Sequence, residues 1–157
     1  MIIKARFVVP VDAPPIENGA VHFEEGKIAA VGPASQFAKG AALDYGDAVI
    51  LPGLVNAHTH LELSLLAGRV PPSTDFIDWL NRLIAARSND LKSTIDDRQS
   101  TIHPNTTSNA ADYFNRAALC GIAQSLSSGV TTVGDITAFP QFSRAVLAHS
   151  PLRAVSF

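Results

Sequence analysis

Short apolar segments alternate with helical patterns after Pro52-Gly53, and this alternation constrains the fold more than any other feature of the sequence. Residues 54–57 are short and mainly apolar, as expected for a buried strand. Residues 130–133 and 152–157 are two further strand candidates, and helical patterns separate the three segments. Such an order implies a parallel sheet whose strands are joined by right-handed crossovers.

Three helices are predicted in this part of the chain. The first follows a cap at Thr74 or Asp75, the second lies between a cap at Ser108 or Asn109 and Gly129, and the third extends from Phe139 to His149. Residues 61–73 are predicted as a loop. Residues 88–108 are polar and show no clear period, which predicts either a functional lid or a poorly ordered connection.

Residues 1–52 have a different pattern, with short extended segments separated by turn residues. Strands are predicted over residues 2–9, 20–24, 27–31, 43–45 and 48–51. Asn18-Gly19 is predicted to belong to a turn, Glu25-Gly26 to be a tight turn, and residues 35–39 to form one helical turn. Short strands at this spacing favour a small antiparallel sandwich or meander.

Composition excludes several classes of function. The chain has 157 residues, 46% of them hydrophobic, and a formal net charge of -2, which fits a globular protein with a core. Its twelve basic residues are scattered, so nucleic-acid binding is not expected. No segment is long and apolar enough to predict a membrane span. A single cysteine, Cys120, fits a reducing compartment, and a cytoplasmic location is expected.

The candidate chemistry lies in the tripeptide His58-Thr59-His60, which follows the first apolar segment. Residues two apart on a strand project to the same face, so both imidazoles are expected to point the same way at the strand's C-terminal end. Active sites of α/β barrels are built at that end. Neutral imidazole binds zinc, iron and similar ions, so His58 and His60 are predicted to be ligands of a divalent metal. The plainer alternative is two neighbouring surface histidines.

The block LPGLVNAHTHLE, preceded by YGDAVI and followed by SSGVTTVGDIT, resembles the amidohydrolase superfamily. The resemblance is greatest to its cytosine deaminase, aminofutalosine deaminase and chlorohydrolase branch. It implies an α/β fold, an incomplete (β/α)8 TIM barrel with only the first strands and helices, preceded by part of a small β-sandwich. Residues 1–52 would be the sandwich part and 53–157 the first β/α units of the barrel. His58 and His60 match the first two metal ligands.

The resemblance also implies a function. Full-length members are metal-dependent hydrolases of non-peptide C–N bonds, and this branch favours hydrolytic deamination of an amino-substituted heterocycle by metal-activated water. The cofactor would be a divalent metal, zinc or alternatively iron, and the partner a small-molecule substrate. Homo-oligomerisation of the full-length protein stays open. Members take further ligands and the proton-transferring carboxylate from later strands, so the chain is expected to be an N-terminal fragment that is inactive alone.

Two alternatives remain open. One is a cyclic amide hydrolase of the same superfamily. The other is a non-catalytic metal-binding or interaction module of 157 residues, although three strands of a barrel would leave a long unpaired edge.

Other side chains are weaker candidates for the site. Glu62 is predicted either to contact a polar substrate group or a metal-bound water at the pocket, or to have a supporting or surface role. Asp135 would line the mouth or cap the next helix. Phe76 and Trp79 would wall a pocket or, more plainly, belong to the core.

The remaining candidates are expected to be structural. Asn56 would brace its strand through hydrogen bonds, and Cys120 would be a small buried side chain. The other histidines, His22, His103 and His149, are expected to be structural or solvated.

Overall fold

A computed structural model describes residues 1–37, 42–96 and 106–157 of the chain. These residues form two compact units, Met1–Pro52 and Gly53–Phe157. Each unit has its own sheet, and the two are described in turn.

The first unit is a five-stranded mixed sheet. Its strands are β1 (Ile2–Val8), β2 (Ile16–Glu24), β3 (Lys27–Pro33), β4 (Ala42–Asp44) and β5 (Val49–Ile50), with a 3₁₀ helix at Ala34–Gln36. The order is β3-β2-β1-β4, and β5 also pairs with β1. Strands β1, β2 and β3 are antiparallel, whereas β4 and β5 run parallel to β1. The purely antiparallel arrangement expected from the sequence was therefore wrong for the last two strands.

Local turn residues account for the β2–β3 hairpin of this unit. Glu25 and Gly26 have φ angles of 49° and 75°, as the tight turn predicted there requires. The turn predicted at Asn18-Gly19 was wrong, because both residues lie inside β2. Asn18 has a φ of 48°, a conformation that asparagine tolerates better than most residues. The helical turn expected over 35–39 is the 3₁₀ helix at Ala34–Gln36, and residues 38 and 39 lie outside the described residues.

The second unit is a parallel sheet with helices between its strands. Its elements are β6 (Leu54–Thr59), a 3₁₀ helix (Leu61–Leu66), α1 (Phe76–Asp96), α2 (Thr106–Ser127), β7 (Val130–Asp135), α3 (Pro140–Leu147) and β8 (Arg153–Ser156). The strand order is β6-β7-β8, with both pairs parallel. The predicted order of strands and helices is confirmed.

Helix boundaries follow partly from cap residues. The Asp75 side chain accepts hydrogen bonds from the backbone amides of Ile77 (2.8 Å) and Asp78 (3.3 Å), which confirms the predicted cap of α1. Gly129, with a φ of 77°, follows the end of α2 as predicted. Helix α2 begins slightly before the caps proposed for it, and α3 begins with Pro140 in its first turn.

Two segments predicted to be irregular are in fact partly helical. Residues 88–96 continue α1, so a lid or disorder was the wrong prediction there; residues 97–105 lie outside the described residues. The loop predicted at 61–73 begins with a 3₁₀ helix because Leu61 and Leu66 are buried against the core.

The core of this unit lies between the sheet and helices α2 and α3. Its buried members are Leu61, Ala118, Ile122, Val133, Leu147 and Leu152. Strand β6 does not share in this burial, since Leu54 and Val55 are 54% and 67% exposed. The expectation of a buried strand was wrong for β6, which is an edge strand of the sheet described here. Within the described ranges, no helix combines the length and hydropathy needed to cross a bilayer.

Candidate metal centre

The two histidines of the tripeptide come together at the C-terminal end of β6. Their Nε2 atoms are 3.2 Å apart. The ring centroids are 5.1 Å apart, and the ring planes are inclined at 78°. Both side chains are exposed, so an ion or a small molecule can reach them. The structure therefore places His58 and His60 side by side with converging nitrogens.

His60 is held by the end of the neighbouring strand. Its Nδ1 lies 2.6 Å from the carbonyl oxygen of Ile136, and the Ile136 amide donates to the carbonyl of Thr59 at 2.8 Å. A carbonyl can only accept, so the His60 proton sits on Nδ1 when the ring is neutral. The Nε2 lone pair then faces His58 and is available to a metal.

The backbone around His58 departs from a regular strand. Pairing between β6 and β7 shifts register between Asn56 and Thr59, where β6 contains one extra residue. The Asn56 side chain accepts a hydrogen bond from the His58 amide at 3.2 Å, so Asn56 does brace the strand as predicted. On the facing strand, a Cβ atom at Gly134 would lie 2.4 Å from the Ala57 carbonyl oxygen. Only glycine allows this close approach of the two backbones.

The spacing of the two nitrogens fits coordination to one ion. At zinc–nitrogen distances of about 2.0–2.1 Å, nitrogens 3.2 Å apart subtend roughly 100° at the metal. This lies between the octahedral and tetrahedral angles, about 90° and 109°. Among the described residues, no group of three His, Cys, Asp or Glu side chains forms a metal site. The pair thus fits a zinc or iron ion as two of its ligands.

Asp135 lies at the end of β7 and is completely buried. Its Oδ1 accepts a hydrogen bond from the backbone amide of Leu61 at 3.0 Å, and its Oδ2 has no partner within the described part of the chain. The cap residue of α3 is Phe139, so the prediction that Asp135 caps the next helix was wrong. It caps the first residue of the 3₁₀ helix after β6 instead.

Glu62 is buried, at 5% exposure, and both of its oxygens are occupied. Arg87 of α1 donates to Oε1 at 3.1 Å. Oε2 accepts from the hydroxyl of Thr137 and from the amide of Ala138, the latter at 3.1 Å. Glu62 therefore joins the segments that follow β6 and β7 to helix α1.

A second cluster anchors the segment that follows this 3₁₀ helix. The Arg69 guanidinium donates two hydrogen bonds to the Asp90 carboxylate, at 2.6 and 2.7 Å. The hydrogen bond from Arg69 holds the pKa of Asp90 below its usual range. The same contact raises the pKa of Arg69, and burial raises the pKa of Tyr113, whose hydroxyl is 3.5 Å from Asp90.

Arg87 and Asp90 were not predicted to be important, although the sequence carries a signal for them. Leu83, Arg87 and Asp90 are spaced four and three residues apart, so they share one face of α1. Charged residues that continue an apolar stripe indicate buried or half-buried ion pairs on that face.

The other candidate residues from the sequence do not belong to this cluster. The rings of Phe76 and Trp79 are 6.0 Å apart, but Phe76 is 66% exposed, so its assignment to the core was wrong. Cys120 is half-exposed rather than buried. His22 contacts the Phe37 ring edge-on, and His149 Nδ1 bonds the Ala145 carbonyl. His103 lies outside the described residues.

Curated relatives match most of the chain. The methylthioadenosine/S-adenosylhomocysteine deaminase of Nitratidesulfovibrio vulgaris strain Miyazaki F is 31% identical over 142 residues, which cover 87% of this chain and 28% of the relative. The 5'-deoxyadenosine deaminase of Methanosarcina mazei is 27% identical over 98% of this chain and 32% of the relative. The chain thus spans about a third or less of the length of these relatives.

The fold is similar to that of solved hydrolases. The atrazine chlorohydrolase of Arthrobacter aurescens TC1, solved in complex with zinc, superimposes with a TM-score of 0.70 at 20% identity, over 99% of this chain and 34% of that structure. The architecture is the first part of a (β/α)8 barrel preceded by part of a β-sandwich. The sequence model of the amidohydrolase family matches residues 49–152. The chain therefore belongs to the amidohydrolase family.

Proposed function

We propose that this chain supplies the first two metal ligands, His58 and His60, of a hydrolase that deaminates an amino-substituted heterocycle. The observation that carries the proposal is the 3.2 Å separation of the two Nε2 atoms, with His60 fixed by the Ile136 carbonyl. The deaminase names of the relatives support the reaction class.

The two units would serve this activity differently. Residues 1–52 would form the N-terminal part of a β-sandwich, and residues 53–157 the first β/α units of the catalytic barrel. Because the chain covers about a third of its relatives, the remaining ligands and the proton-transferring group would come from other parts of a complete protein. Such a protein would act in the cytoplasm on a small-molecule substrate.

The residues of this chain would hold and orient the reacting groups. A bound divalent metal, zinc or alternatively iron, would supply a water molecule whose pKa is lowered to about 7. His58 and His60 would hold that ion through their Nε2 atoms. Glu62 would form part of the pocket wall, where its bonds to Thr137 and Ala138 fix the segment after β7.

The relatives suggest the substrate class. Methylthioadenosine, S-adenosylhomocysteine and 5'-deoxyadenosine are all adenine nucleosides altered at the 5' position. We therefore propose a purine nucleoside that carries an exocyclic amine, with loss of that amine as ammonia.

Zinc binding and ammonia release by the complete protein that contains this chain would test the proposal. Wild-type protein should bind zinc and release ammonia from at least one member of a panel of aminopurines, aminopyrimidines and their nucleosides. His58→Ala and His60→Ala should lose both properties. His149→Gln is the matched control and should leave both unchanged, because this exposed histidine bonds the Ala145 carbonyl of the preceding helical turn.

Three results would count against deamination. Ring opening of cyclic amides without ammonia would replace it with the cyclic amide hydrolase alternative. Zinc binding with no turnover of either class would favour a non-catalytic module. Unaltered zinc binding in both histidine variants would show that His58 and His60 are not the zinc ligands.

A further inference from the structure

We infer that Asp135 is a positioning residue for the His60 imidazole. The inference rests on the proposed metal role of His60. It concerns a buried carboxylate of which only one oxygen has a hydrogen-bond partner among the described residues.

Three hydrogen bonds connect the end of β7 to the residues around His60. The Ile136 amide donates to Thr59 before it, the Ile136 carbonyl accepts from the His60 ring, and Asp135 Oδ1 accepts from Leu61 after it. The backbone on both sides of His60 is therefore tied to the same two residues. Of these contacts, only the one from Asp135 depends on the identity of a side chain in β7.

The Asp135 carboxylate is buried, and burial of a polar group costs free energy unless each of its atoms has a hydrogen-bond partner. A buried polar atom without a partner destabilises a protein by about 1–3 kcal/mol, and Asp135 Oδ2 is such an atom among the described side chains. The carboxylate supplies an acceptor at the residue that immediately follows His60, which fixes the turn from β6 into the 3₁₀ helix.

The consequence is specific to the ring of His60. If the Leu61 amide loses its acceptor, the backbone at residues 60 and 61 can rotate, and the bond from Nδ1 to Ile136 weakens. The imidazole then samples both tautomers and orientations. Substitution of groups that orient a metal-binding histidine typically lowers metal affinity on the order of 10–100-fold.

Zinc titration of the complete protein that contains this chain tests the inference. Asp135→Ala should weaken zinc binding on the order of 10–100-fold. Asp135→Asn keeps an oxygen at the Oδ1 position and should stay within about threefold of wild type, because the acceptor and not the charge is needed. Ser143→Ala is the matched control, since its buried hydroxyl also has no partner but lies in α3; its zinc affinity should not change.

A metal-free measurement separates positioning from general structural damage. In nitrogen-15 spectra of the histidine rings, wild type and Asp135→Asn should show His60 protonated on Nδ1, and Asp135→Ala a mixture of tautomers. If Asp135→Ala does not fold, Asp135→Leu fills the same space without an acceptor and should show the same loss.

The inference fails if a folded Asp135→Ala or Asp135→Leu protein binds zinc like wild type, or if Asp135→Asn loses as much affinity as they do. Absence of zinc binding in wild type would instead reject the proposed function. The tautomer of His60 would still decide the role of Asp135.

Discussion

At the scale of single residues, the contacts of Glu62 determine how the segments around the histidines are held. Its carboxylate receives three donors, two from the segment after β7 and one from α1. Glu62 is 7% exposed and Arg87 23% exposed as side chains, so water screens the pair only weakly. Removal of one partner then leaves a buried charge that has lost its counterion.

The Arg87→Met substitution should therefore lower the free energy of unfolding by about 3 kcal/mol. Glu62→Gln combined with Arg87→Met should recover part of that loss, because no uncompensated charge remains. Urea denaturation measures both. The control is Arg82→Met, which breaks an exposed pair with Asp78 on the same helix and should cost less than about 1 kcal/mol. Equal effects of the two arginine substitutions would contradict a buried bridge.

The sequence was enough to predict His58 and His60 as candidate metal ligands, because a two-residue spacing at a strand end is a local signal. It could not show that the Ile136 carbonyl contacts His60 or that Asp135 accepts from Leu61, since these contacts join residues more than 70 positions apart. Glu62 was also a candidate because of its spacing, since it lies two residues after His60. Its occupied oxygens depend on where α1 and the segment after β7 lie, which no local pattern reports.

At the scale of secondary structure, the Arg69–Asp90 pair ties the segment after the 3₁₀ helix to the middle of α1. The lowered pKa of Asp90 means that folding favours its ionised form. This contribution to stability is complete above the ordinary carboxyl value of 3.8 and is lost as the pH falls through the lower value in the folded protein.

The Asp90→Asn substitution should consequently destabilise the protein at neutral pH and less so in acid. The difference in unfolding free energy from wild type should be constant from pH 7 to 5 and should shrink below pH 3.8. Denaturant titrations at several pH values measure it. A difference that does not change with pH would contradict a charge-dependent contact.

The start of α1 allows a separate measurement. Asp75→Ala removes the acceptor for the Ile77 and Asp78 amides and should cost about 1 kcal/mol of unfolding free energy. Asp75→Ser should retain most of that stability, because a serine hydroxyl caps nearly as well. If serine and alanine were equally destabilising, loss of the cap would not be the cause.

Helix α1 also shows where local patterns mislead. Its start was predicted from Asp75, but its last nine residues were taken as irregular because they lack an apolar stripe. A helix needs such a stripe only where it is buried. Beyond Arg87, Asp90 makes polar contacts with Arg69 and Tyr113, so the helix continues without the pattern used to find it.

At the scale of the molecule, the exposed apolar side chains of β6 bear on how the 157-residue chain behaves alone. Leu54 and Val55 face solvent on an edge strand, and exposed edges of this kind pair with other chains. The chain by itself should therefore self-associate at micromolar concentration in size-exclusion chromatography.

Val55→Lys should reduce self-association and increase the fraction of monomer, because a charged side chain blocks pairing at the strand edge. Val11→Lys is the control and should leave self-association unchanged, because Val11 is also exposed but lies outside the strands. A compact wild-type monomer that melts cooperatively would contradict self-association and favour an independent module.

The architecture followed from the sequence to the extent that local signals specify it. The alternating segments after Gly53 predicted the parallel order β6-β7-β8. The parallel pairing of β4 and β5 with β1 was not predicted, since it is set by contacts about 40 residues apart and not by turn residues. The apolar composition of β6 predicted a buried strand. Leu54 and Val55 are exposed instead, because β6 lies at the edge of the described sheet.

The extra residue in β6 between Asn56 and Thr59 limits how this protein can vary. Deleting one position there would turn every following side chain to the opposite side of the sheet. An insertion would have the same effect. A change in length between Asn56 and Thr59 would therefore separate His60 and Leu61 from Ile136 and Asp135, so this interval tolerates substitution better than insertion or deletion.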